Sequence, residues 1–108
     1  MRAESPKSSK IEPEARTVFF QAERLYFQKN YVDSARLYSQ LKAKLPKSRA
    51  AQVSSYRLGS IHYYQGNYSL AEVEFESFVG RYPQSELTFD VLYNLAATRY
   101  QREKYPEA

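Results

Sequence analysis

The stretch LGSIHYYQGNYSLAEVEFESFVGRYP, residues 58–83, decides how the chain folds, because it returns on both sides of itself. Laying the sequence on itself at an offset of 37 aligns Phe19, Tyr56 and Tyr93; Ala22, Gly59 and Ala96; Tyr26, Tyr63 and Tyr100; and Tyr31, Tyr68 and Tyr105. The residues between these columns repeat as well. Asn30-Tyr31 matches Asn67-Tyr68, Tyr38 matches Phe75, Leu41 matches Phe78, and Pro46-Lys47-Ser48 matches Pro83-Gln84-Ser85. A fixed period of this size is the signature of a repeat architecture, in which each unit buries its apolar face against its neighbour.

Each copy predicts two helices. The first helices run over residues 14–28, 49–65 and 86–102; in the second and third copies a proline stands two residues before an N-cap candidate, Ser48 or Ser85. The second helices start near Tyr31 and Tyr68, after the turns Lys29-Asn30 and Gly66-Asn67, and stop before Pro46 and Pro83. The result is an all-α fold of five helices, about two and a half repeats, with the sixth helix cut off at residue 108. Residues 1–13 (MRAESPKSSKIEP) offer one large apolar residue besides the initiator, Ile11, and are expected to form a flexible leader ahead of a domain over 14–108.

Leu58-Gly59, Tyr63-Tyr64, Gly66-Asn67-Tyr68, Ala71, Phe75, Phe78 and Pro83 together resemble the tetratricopeptide repeat, a helix–turn–helix unit of about 34 residues. The first copy departs at Ser34, which takes the slot of Ala71, and in the third copy Ala108 falls on that slot. The longer unit, the Pro-x-Ser linkers and the Tyr-rich first helices resemble a branch of Gram-negative cell-envelope repeat proteins. That branch includes the outer-membrane lipoprotein of the β-barrel assembly machine, the Tol–Pal coordinator and the lipoprotein activators of peptidoglycan synthases. The resemblance implies a solenoid whose first helices line a concave groove, a periplasmic or outer-membrane setting with the cytoplasm left open, and a lipid anchor outside this chain.

Composition narrows the function classes. With 43% hydrophobic residues the chain has the makings of a core, and its eleven Tyr and six Phe are too many rings for a linker. The absence of cysteine removes a disulfide framework, thiolate metal ligands and a cysteine nucleophile. No Gly-rich phosphate loop or nucleophile elbow is present, and the lone His62 occupies a slot where a packed ring is expected. Glu72, Glu74 and Glu76 alternate by two and so spread around a helix rather than converging on a metal. No cofactor, metal or small-molecule substrate is implied, and the chain reads as a non-catalytic scaffold for a protein or peptide.

Two surfaces compete for the binding role. Rings seven residues apart share a helix face, and by the resemblance Tyr56, Tyr63, Tyr64, Tyr93 and Tyr100 supply the groove, with Phe19 expected in the core. The small residues Ala22, Gly59, Ala96 and Ala71 mark where helices approach closely. The alternative is a nucleic-acid-binding helical repeat using Arg36, Lys42, Lys44, Lys47, Arg49 and Arg57, a basic segment followed by the acids Glu72, Glu74, Glu76, Glu86 and Asp90. A third expectation is self-association through the unfinished third repeat, with Leu92, Leu95 and Tyr100 partly uncovered.

Overall fold

A computed structural model describes residues 11–106. A 3₁₀ turn at Pro13–Ala15 leads into α1 (Arg16–Phe27), followed by α2 (Tyr31–Lys44), α3 (Arg49–Tyr64), α4 (Tyr68–Arg81) and α5 (Thr88–Lys104). Among the described residues these five α-helices are joined by short turns with no strand between them. The chain divides into two compact units, with the boundary inside α3 after Ser54.

The turns repeat with the helices. Asn30 N–H donates to the Leu25 carbonyl (2.9 Å) and Lys29 N–H to that of Tyr26 (3.0 Å); 37 residues later Asn67 donates to His62 (2.8 Å) and Gly66 to Tyr63 (3.0 Å). This is the paired hydrogen-bond pattern that satisfies the last carbonyls of a helix, and it needs one residue in the left-handed region. Gly66 fills that place at φ 80°, whereas the first copy puts Lys29 there at φ 65°.

In unit one α2 packs on α1 at the column of small residues. Ala22 and Ser34 have no exposed surface, and the Ser34 hydroxyl donates to the Ala22 carbonyl at 2.9 Å. A serine is therefore tolerated in a slot that holds alanine in the next copy, because its one polar group is satisfied. Phe19 and Tyr26 meet the buried Tyr38 edge-on, with centroids 6.4 and 6.5 Å apart, so Phe19 belongs to the core as expected.

Unit two makes the same approach more tightly. A Cβ on Gly59 would stand 2.7 Å from Cδ1 and 2.9 Å from Cζ of Phe75, which is itself fully buried, so α3 and α4 close to a distance only glycine permits. Leu87, Val91, Leu95 and Thr98 carry the core into α5.

Four expectations change. Of the leader expected over residues 1–13, residues 1–10 lie outside the described residues, but Ile11 is 1% exposed and Glu12 caps a helix, so the packed unit begins before residue 14. Both oxygens of the Glu12 carboxylate accept backbone N–H groups at the start of α3, from Arg49 at 2.7 Å and Ala50 at 3.2 Å. Ser48 caps α3 through the Ala51 N–H (2.9 Å) as its position predicts. Ser85 does not cap α5: its hydroxyl accepts from Leu87 N–H (3.1 Å) in a turn ahead of the helix, which starts at Thr88. Ala96 is exposed rather than closely packed, because among the described residues no helix lies opposite it, and the slot of Ala108 falls outside them. Leu95 is buried at 5% exposure, leaving Leu92 and Tyr100 as the uncovered members of the expected association face.

Candidate functional site

Three of the five candidate tyrosines meet in one place. In unit two a groove of about 220 Å³ is lined by Ser60, Tyr63 and Tyr64 of α3, Phe75 of α4, and Tyr93, Asn94 and Ala97 of α5. Phe75, the ring that closes on Gly59, is its floor. Tyr63 is held edge-on between Tyr64 (5.8 Å, 87°) and Tyr68 (5.3 Å, 66°), which fixes one wall. Tyr64 and Tyr93 are 60% and 75% exposed, so they stand at the solvent edge of the groove.

The space between the rings exists because two small residues face it. Ser60 and Ala97 occupy the same column of the repeat, one offset of 37 apart. The first copy carries Glu23 in that column and Tyr38 in the column of Phe75, and there the Tyr38 hydroxyl donates to the Glu23 carboxylate. The apolar floor and small-residue walls thus belong to the later copies alone.

Tyr56 and Tyr100 fall outside the groove. The Tyr56 hydroxyl accepts a hydrogen bond from Asn94 Nδ2 (3.3 Å), so Tyr56 stands behind the wall and orients Asn94. Tyr100 lies one turn farther along α5, with Lys104 Nζ 5.9 Å from its ring centre and equally far from that of Tyr105. Sequence reasoning missed Ser60, Phe75, Asn94 and Ala97 as lining residues. The signal that points to them is the change of the 23/60/97 column from Glu to Ser and Ala, next to the close-approach glycine.

The basic candidates are distributed over both units. Arg36 pairs with Asp33 at 2.6 Å. The Arg49 guanidinium donates to Gln52 Oε1 (2.9 Å) while its backbone N–H is held by Glu12. Lys44 and Lys47 are exposed and Lys42 is half-buried at the end of α2, where cations complement the helix dipole. In unit two Arg57 lies 5.7 Å over the Tyr56 ring.

The acidic segment is likewise engaged. Glu72 and Glu76 of α4 pair with Arg99 of α5, and Arg102 also pairs with Glu72. Hydrogen bonds from Arg102 and then Arg99 hold the Glu72 carboxyl below its ordinary value. Burial pushes the Glu12 carboxyl up, but the backbone N–H of Arg49 and the other amides around it outweigh this and leave its pKa lowered. Within unit two, α5 thus brings Arg99 and Arg102 to two of the acids of α4, Glu72 and Glu76. Among the described residues no group of three or more His, Asp or Glu side chains is placed to hold a metal. No helix there is long and apolar enough to cross a membrane.

Residues 54–85 match the family model of the tetratricopeptide repeat. The matched segment takes in the second half of α3, the Gly66 turn and all of α4, the elements that supply Ser60, Tyr63, Tyr64 and Phe75 to the groove. Repeats of this family generally mediate protein–protein interaction. A comparison with curated proteins finds no match.

Proposed function

We propose that the chain is a non-catalytic interaction module that grips a peptide, a helix or a neighbouring domain at the tyrosine-walled groove of unit two. The observation that carries this reading is the convergence of Tyr63, Tyr64 and Tyr93 over Phe75 around open space. Rings with apolar bodies and polar tips hold a partner at low entropic cost, and a few of them supply most of the binding energy of an interface. In this reading Tyr56 acts through Asn94, and Tyr100 extends the surface along α5 beside Lys104. Work in bacterial envelope assembly, at the periplasmic face of the outer membrane, is part of the proposal. It is supported by the 37-residue spacing and the Pro-x-Ser linkers.

The test uses a peptide selected from a random display library against the folded protein. Tyr64→Ala and Tyr93→Ala should each weaken its binding by about 2 kcal/mol, close to thirty-fold. Their melting temperatures should stay near that of the parent, since both rings are more than half exposed. Unchanged affinity in both variants would move the interaction surface away from the groove. Salt-steep binding of single-stranded RNA, lost on replacing Lys44 and Lys47, would instead favour the nucleic-acid alternative.

A further inference from the structure

Resting on the groove reading above, we propose that the groove is a pocket for one uncharged side chain of Leu or Phe size, presented by a peptide whose backbone lies across its mouth. Size is the first argument. Sites for drug-sized ligands start near 300 Å³, whereas an apolar cavity of about 150 Å³ accepts benzene. At about 220 Å³ the groove holds a ring or a branched aliphatic group with its methylene, and neither a cofactor nor the ridge of a whole helix.

Charge is the second argument. None of the lining residues is Lys, Arg, His, Asp or Glu, so a carboxylate entering over Phe75 would be desolvated without a counter-ion, while an ammonium would trade its water for ring faces alone. The same columns of the first copy hold Glu23 and Tyr38 in a hydroxyl–carboxylate pair. A neutral apolar side chain gives up no such hydration on entry, which favours it over either charged group.

Polar groups at the rim are the third. Asn94 gives its Nδ2 to the Tyr56 hydroxyl, which leaves its carboxamide oxygen to accept an N–H from the peptide backbone beside the inserted side chain. The pocket thus reads one residue by shape and the adjoining peptide group by a hydrogen bond.

The experiment titrates isotope-labelled protein with N-acetyl-phenylalaninamide and N-acetyl-leucinamide, using the lysine and glutamate analogues as charged probes, and follows backbone amide resonances. The expected result is saturable shifts at Ser60, Tyr64, Tyr93 and Ala97 with the two apolar probes, and at least ten-fold weaker response to the charged ones. Ala97→Phe, which fills the pocket, should abolish the response; if that variant does not fold, Ala97→Leu serves the same purpose. Equal response to charged probes, shifts confined to other helices, or a response that survives the filled pocket would overturn the proposal. A display-selected peptide separates this failure from that of the groove reading. If it loses affinity on Tyr64→Ala while the apolar probes do not bind, the one-residue pocket falls and the groove stands. Indifference of that peptide to both Tyr64→Ala and Ala97→Phe sinks both.

Discussion

Replacing Gly59 with alanine is the sharpest perturbation of the packing that builds the site. In an isolated helix the change would stabilise by about 1 kcal/mol, because alanine loses less conformational freedom than glycine. In this protein the new methyl would lie 2.7 and 2.9 Å from two atoms of the Phe75 ring, with a third ring atom also in conflict. Carbon atoms pack best at about 3.5–4.0 Å, so the ring or α4 must move by about 1 Å. Phe75 is buried, and the open space beside it is the groove itself, so relieving the clash would intrude on the site. Overpacking of this kind costs about 1–3 kcal/mol and sometimes more. With several ring atoms in conflict, the upper end applies, and after the propensity gain the net destabilisation is about 2 kcal/mol. For a domain of this size that lowers the melting temperature by about 8–16 °C. Thermal unfolding followed by circular dichroism and calorimetry reads the shift. The double variant Gly59→Ala with Phe75→Leu should cost at least about 1 kcal/mol less than the sum of the single changes, since the smaller side chain gives the methyl room. A melting temperature for Gly59→Ala equal to or above that of the parent would refute the close approach of α3 and α4.

Three further perturbations have defined signs. Gly80→Ala, in the same repeat as Gly59 but with nothing near a Cβ, should stabilise by up to about 1 kcal/mol, measured by urea unfolding. Lys29→Gly should stabilise by about 0.5–1 kcal/mol, because Lys29 holds the left-handed conformation that Gly66 adopts freely in the next copy; a loss of stability would mean the side chain makes a contact worth more than the strain. Glu12→Ala should cost about 1–2 kcal/mol at neutral pH through loss of the cap on α3. Glu12 has a lowered pKa in the folded protein and an unfolded value of about 4.3, so its contribution is complete above that value and fades as pH falls through the folded one. The gap between Glu12→Ala and the parent should accordingly shrink on acidification from pH 7 to about pH 3; a constant gap contradicts the assignment.

The helices were legible in the sequence because the repeat reports periodicity three times over, and because asparagine marks the helix–helix turn and proline the linker in the first two copies, with Gly66 beside the asparagine in the second. What escaped the reading depends on contacts between residues far apart in the chain. Glu12 sits in a polar, proline-flanked stretch that looks unstructured, yet its partner amides are 37 and 38 residues away. Glu72 and Glu76 read as acids spread around a helix until α5 places Arg99 and Arg102 beside them. Ala96 obeys the column rule in sequence but not in burial, since closeness is a property of two helices and only one of them is present among the described residues. The groove was half legible: the rings Tyr63, Tyr64 and Tyr93 stand out by type and spacing. Ser60, Asn94 and Ala97 do not, because a small residue signals space only when its surroundings are known.

The central claim is that binding takes place over Phe75 between the tyrosines of α3 and α5, and its most direct test is the footprint of a library-selected peptide on isotope-labelled protein. The largest amide shifts, together with contacts from the peptide's apolar side chain, should fall on Ser60, Tyr64, Tyr93, Asn94 and Ala97, with α1 and α2 unaffected. A footprint centred instead on α1 and α2, or on Lys42, Lys44 and Lys47, would contradict it.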